Sequence, residues 1–190
     1  MRGLHPGTSR GADYMRGFTW GLKGEEVVMA KLNKELEGVK TRSMKGLIMA
    51  AAFIRNKTES EEPLTPVDYG NLRSSWFVAT PNTIVVGKGV HGFKGPDAAE
   101  MSTNHASVLS EAQNIVASQS SATKMFLMMG YSVKYGGFVH EMVGANFNPE
   151  KRKGKAKRRE GAGAKWLQTH IYKNTAKIVQ IVKDNAQIKG

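Results

Sequence analysis

Apolar positions recur at threes and fours from Val28 onward, as Val28, Leu32, Leu36, Val39, Leu47, Ala51 and Ile54. One buried stripe on a helix needs that spacing. It predicts a long helix from Glu25 to about Lys57, with the stripe as core. Glu25 and Glu26 fall in the first turn, where carboxylates complement the positive end of the helix dipole. Gly38 and Gly46 predict a kink or a close approach by a neighbour. Polar residues from Thr58 to Glu62, followed by Pro63 and Pro66, end the helix. Short runs rich in β-branched and aromatic residues follow at Trp76 to Thr80 and Thr83 to Val86. Pro81-Asn82 between them predicts a hairpin. Lys124 to Val133 is nearly continuously apolar and predicts a central strand, buried on both faces or against the long helix. Tyr135 to Val143 predicts a short helix or turn, with Phe138 and Val139 docking inward and His140-Glu141 pointing elsewhere. Lys165 to about Gln187 closes the chain as a helix with the stripe Leu167, Ile171, Thr175, Ile178 and Val182, expected beside the long helix on one face of the sheet.

The remaining stretches are less regular. Met1 to Gly24 carries six glycines with Tyr14, Phe18 and Trp20 among them, a density that disfavours helix. Two readings stand: a leader with a first strand at Gly17 to Leu22, or an extended arm with aromatic anchors on a neighbouring subunit. Residues 91–123 read as an insertion holding a short helix from about Ala98 to Ala117, either a subunit-contact loop or a surface excursion. The glycines at 87, 89, 92 and 95 lack the Lys-Ser/Thr pair of a phosphate-binding loop and no βαβ unit follows. The organisation expected is an arm over 1–24 and a single α+β domain over 25–190, with the insertion at 91–123 and a basic loop at 145–163. The sheet should be small and mostly antiparallel, of three to five strands, packed against the long N-terminal helix and the C-terminal helix.

Charge adds a second theme. Lys and Arg number 28 against 16 acidic residues, a formal net charge of +12. Such a balance favours a polyanionic partner, nucleic acid above all, although basic chains without one are common. Lys151, Arg152, Lys153, Lys155, Lys157, Arg158 and Arg159 crowd into one run. Like charges so close repel one another, so the run predicts an exposed loop. It serves either solubility or sequence-blind contact with DNA phosphate through counterion release. No aromatics interleave, which argues against a base-stacking platform. The chain has no cysteine, which excludes disulfides and thiolate metal sites. No apolar run approaches the ~20 residues of a membrane span, and the N-terminus lacks the apolar segment of a secretory signal.

Catalysis is not expected. None of His5, His91, His105, His140 and His170 has a second histidine three or four residues on. His140-Glu141 begins like a zinc-protease motif, but Gly144 stands where its second histidine belongs. Ser74, Ser75, Ser107 and Ser110 have no nucleophile-elbow context. No cofactor or metal is implied.

The stretch from Leu64 to Trp76 reads as a corner. A proline turn opens it, Asp68 is placed to cap a short helix, and a side chain from Asn71 or Arg73 can tie the turn together. Leu72 and Trp76, four apart, would share a helical face. An acidic residue, then Gly70-Asn71-Leu72-Arg73-Ser74-Ser75 and the apolar strand from Trp76, resembles the TGxLRxS signature of the HK97 gp10-like family of tailed-phage neck and tail proteins. Tyr131 to Glu141 is similar to that family's YAxyvExG segment, and Trp166-Leu167 to its FLxpA element. The three blocks fall in the family's order and span roughly residues 20 to 185. Tyr69 replaces the usual Thr, Gly136 replaces Ala, and 91–123 is longer than the family's hairpin.

The resemblance implies the same α+β arrangement. It also implies a virion protein at the head–tail junction, a tail terminator or tail completion protein. Such a protein forms a homo-oligomeric ring, often a hexamer, between the tail tube protein and the head-completion or connector proteins. Its place is the virion, and the host cytoplasm during assembly. The residue expectations are contact with luminal DNA or a partner for Lys151 to Arg159, and a subunit interface for Tyr14, Phe18 and Trp20. Asp68, Gly70, Asn71, Leu72, Arg73, Ser74 and Trp76 are expected to be structural, with a cross-subunit salt bridge as the alternative for Arg73. The rival reading, resting on charge, is a stand-alone, sequence-nonspecific nucleic-acid-binding protein.

Overall fold

A computed structural model describes residues 25–67, 70–86, 92–121, 123–145, 147 and 159–187. The elements, in order, are α1 (Glu25–Ser60), α2 (Asn71–Ser74), β1 (Trp76–Ala79), β2 (Ile84–Val86), α3 (Ala98–Gln119), β3 (Met128–Tyr131), α4 (Tyr135–Glu141), α5 (Trp166–Lys173) and α6 (Thr175–Ala186). The fold is α+β, a three-stranded antiparallel sheet with helices around it. The chain divides into two compact units, 1–36 and 37–190. Within the first, residues 25–36 are helical; the sheet and all later elements belong to the second.

Strand order is β2-β1-β3. β1 is therefore central, and all four of its residues are buried. Side chains alternate across a strand, so Trp76 and Val78 face one way and Phe77 and Ala79 the other. Trp76 and Val78 pack with Ala51 of α1. Phe77 and Ala79 pack with Leu109, Ala112 and Val116 of α3. The sheet is thus covered on both faces, by α1 on one and α3 on the other. The β1–β2 turn is closed by Thr80, whose N–H and hydroxyl both donate to the Thr83 carbonyl at 2.8 and 2.9 Å.

Two expectations change here. The helix expected from about Ala98 to Ala117 is present as the 22-residue α3, but it is no surface excursion, because it supplies the core of a whole sheet face. The strand in 124–133 is an edge strand of four half-buried residues, not the central one. The hairpin places β1 between its two partners, and β1 takes the doubly buried position instead.

The α1 stripe divides as well. Ala51 and Ile54 are buried, but Val28, Leu32 and Leu36 are exposed, so the first three apolar repeats are not core. Gly46 lets a neighbouring helix approach: a Cβ there would meet Val182 Cα at 3.0 Å and Asn185 Cβ at 3.1 Å. That contact lays α6 beside α1, as expected of the closing helix. The closing helix is not continuous. Asn174 separates α5 from α6, and its side-chain amide donates to the His170 carbonyl at 2.8 Å. Of its stripe, Leu167, Ile171, Ile178 and Val182 are half-buried and Thr175 is exposed.

Candidate functional site

The three sequence blocks meet in space. Leu72 from the corner, Val133 beyond β3 and Trp166 at the start of α5 form one buried cluster, with Tyr131, Val139 and Leu167 packed around it. The Tyr131 ring stands edge-on to Trp166 at 6.1 Å, and the His140 ring does the same at 4.7 Å. Gly136 contributes by being small, since a Cβ there would press on Leu72 Cδ1 at 3.3 Å. His140 therefore packs onto the cluster instead of pointing away, while Phe138 is exposed and does not dock inward. A four-residue spacing between His140 and the glycine at 144 carried no hint of this, because Trp166 comes from a distant segment.

The corner itself is held differently from expectation. Gly70, with φ of 88°, precedes α2 and makes no side-chain cap. Only glycine adopts that backbone readily. Asp68, the expected cap, lies outside the described residues. Asn71 does not close the turn. It clamps a remote loop, its Nδ2 donating to the Lys94 carbonyl at 2.8 Å while the Lys94 N–H donates to Oδ1 at 2.8 Å. Leu72 and Trp76 do not share a helical face, because α2 ends at Ser74 and Trp76 begins the strand. Trp76 lies instead under the Arg55 guanidinium, 4.4 Å from its ring centroid. The Ser74 N–H donates to the Gly70 carbonyl at 2.9 Å.

Arg73 and Arg159 converge on one carboxylate. Glu59 Oε2 accepts from Arg73 Nε at 2.6 Å and from Arg159 Nη1 at 2.8 Å. Arg159 Nη2 also donates to the Glu59 carbonyl. The end of α1, the corner and the segment before α5 are thereby tied within one chain. Arg73 accordingly has an intramolecular partner, and Arg159, the last of the basic run, is engaged in the clasp. Lys151, Arg152, Lys153, Lys155, Lys157 and Arg158 lie outside the described residues, as do Tyr14, Phe18 and Trp20. Buried His170 reinforces the same junction: its Nε2 donates to the Glu61 and Pro63 carbonyls at 3.0 and 3.2 Å.

Chemistry-bearing groups are sparse. Among the described residues no three His, Asp or Glu side chains gather as a metal site. His105 Nδ1 lies 2.6 Å from the hydroxyl of buried Ser132. No described carboxylate hydrogen-bonds the other ring nitrogen to orient it, as a nucleophile–base pair would need. Phe93 stands edge-on to the His105 ring at 5.5 Å, and burial lowers the His105 pKa from its ordinary 6.5.

The sign of the resulting pH dependence follows from linkage. As pH falls through 6.5, the unfolded chain takes up a proton that the folded chain resists, so stability drops. His105→Gln should flatten this loss between about pH 7.5 and 5.5 when urea midpoints are compared. Equal slopes in the two proteins would contradict it. The carboxylates act lower. The Lys57 hydrogen bond holds Glu61 below its usual pKa, and Lys165 followed by His140 does so for Glu141. Their stabilisation is present above 4.5 and is lost as pH falls below it.

A further surface is an open groove of about 830 Å³, walled by α1, the β1–β2 turn and the C-terminal end of α3. Met44, Ile48, Met49 and Met125 are among its lining residues, and Lys45 and Lys124 stand at it without a carboxylate partner among the described residues. Lys40, also in the lining, is neutralised by Glu37 at 2.7 Å. The sequence offered no signal for it, since its walls come from three separated segments.

No family model matches the chain, and no curated protein or solved structure matches it. No helix of the described residues is long and apolar enough to cross a membrane.

Proposed function

We propose that the chain is a structural subunit of a tailed-phage particle, a tail terminator or completion protein that acts by assembling into a closed collar between the tail tube and the head connector. One observation carries most of this reading. The three blocks that resemble the gp10-like family, far apart in sequence, supply Leu72, Tyr131, Val133, Val139, Trp166 and Leu167 to a single buried cluster. The three blocks thereby form one structural unit, together with Phe93 and Met101 from the segment between the first two. Two further features are compatible. Large apolar side chains stay exposed on α1, α4 and α6, as in a subunit that completes its burial against neighbours. The formal charge of +12 suits a lumen through which DNA passes with sequence-blind contacts.

The function is one of geometry, without turnover. Subunits related by rotation present different surfaces to one another, and the contact closes when the rotation returns on itself. Electron microscopy of the purified chain, alone and mixed with tails lacking their terminal ring, tests it. Closed rings seated on tail ends are the expected result. A monomer that binds duplex DNA, with affinity falling steeply as salt rises, would replace this reading with that of a free nucleic-acid-binding protein.

A further inference from the structure

We infer that two copies of this chain join head to tail, the N-terminal apolar face of one copy's α1 lying in the methionine- and lysine-lined groove of the next. The inference rests on the self-assembly in the proposed function, but not on its phage setting.

The donor face is a stripe left without a core. Val28, Leu32 and Leu36 recur every four residues and are 64%, 50% and 53% exposed, with Met29 beside them at 49%. Residues three and four apart share a helix face, so these side chains form one continuous apolar strip. Isolated apolar residues on a surface need no explanation; a contiguous strip at helical period marks a surface to be covered. The acceptor is the groove. Methionines dominate its apolar lining, and their unbranched, polarizable side chains adapt to an incoming helix.

Charge selects the occupant. Residues 25–36 hold three glutamates against two lysines, in a chain that is otherwise strongly basic. Glu35 falls on the same arc as Val28 and Leu32, whereas Lys31 and Lys34 fall outside it by the helical period. The groove presents the opposite sign through Lys45 and Lys124. Another basic surface of this protein would be repelled there; the acidic-edged apolar strip is not. The occupant is a second copy, because the apolar, acidic-edged strip and the apolar, lysine-bearing groove of this chain complement one another. Two different surfaces meeting in this way make a heterologous contact, the kind that propagates into rings or filaments.

Because the chain has no cysteine, single cysteines can report the contact. Leu32→Cys and Met49→Cys alter residues that are 50% and 46% exposed, so both variants should fold. The two purified proteins are mixed in equal amounts, oxidised mildly and resolved without reductant by mass spectrometry. The mixed disulfide should exceed either self-pair several-fold. Leu32→Asp, checked for an unchanged unfolding midpoint, should shift the assembled species toward monomer at the same concentration. Self-pairs equal to or above the mixed product, the absence of any cross-link, or full assembly of Leu32→Asp would each overturn the inference. Rings without the mixed cross-link would remove this contact and leave the collar. The mixed cross-link in open chains that never close or seat on tails would keep the contact and remove the collar.

Discussion

Trp166→Ala is expected to lower stability by about 3–5 kcal/mol, the range for removing a buried Trp or Phe side chain. That loss is a large fraction of the roughly 5–15 kcal/mol that holds a domain of ordinary stability together. Trp166 is 1% exposed and is the largest fully buried side chain among the described residues. It is wedged among Leu72, Val133, Tyr131 and His140, which arrive from the corner, from β3 and its end, and from α4. Those segments cannot collapse into the vacated volume without moving the backbone of the sheet edge, so the cavity term is added to the transfer term. Trp166→Phe should cost less. It keeps much of the ring packing and also removes the indole N–H, which is buried without a partner. Urea unfolding of both variants, with the slope compared as well as the midpoint, checks this. An alanine variant within about 1 kcal/mol of the parent would mean that the cluster is not a cohesive core.

Asn71→Asp is the second large effect, expected at about 3 kcal/mol near neutral pH, at the upper end of the cost of an unsatisfied buried group and beyond it when charged. The parent side chain is 3% exposed and uses both of its faces on Lys94, donating to the carbonyl and accepting from the N–H at 2.8 Å each. A carboxylate can still accept from the N–H. It has no hydrogen for the carbonyl, and it brings two oxygens together in a site with little water. Its folded pKa would therefore rise above the unfolded value. The sign follows: the variant regains stability relative to the parent as pH falls through that raised pKa, because the protonated acid can donate again. Urea midpoints of both proteins from neutral pH to about pH 4 decide it, and a deficit that does not shrink on acidification would show that the Lys94 clamp is not what Asn71 provides. The same experiment bears on the corner as a whole, since Asn71 was expected to brace its own turn.

The amino-acid pattern alone was enough for the secondary elements that announce themselves by period or by punctuation. The α1 repeat, the hairpin around Pro81-Asn82 and the closing helical pattern beyond Lys165 each carry their signal locally, because helical and strand spacing are properties of neighbouring residues. The α+β class follows from their order. The resemblance of the Asn71-Leu72-Arg73, Tyr131 to Glu141 and Trp166-Leu167 blocks is local in the same sense.

What folding alone decided is everything that depends on which distant segment arrives. The α3 stripe, Leu109, Ala112 and Val116, is narrow and one of its three residues is small, so the helix was legible but its place in the core was not until β1 supplied the face it covers. Val28, Leu32 and Leu36 repeat as faithfully as Ala51 and Ile54, yet the former are exposed and the latter buried, Ala51 against Trp76 and Val78. Period establishes that a face is apolar, not what covers it. Glu59 is reached by Arg73 and Arg159 from two separate stretches, and no spacing relates them. Burial and ion pairing are properties of a volume, and a volume is enclosed only when the chain returns on itself.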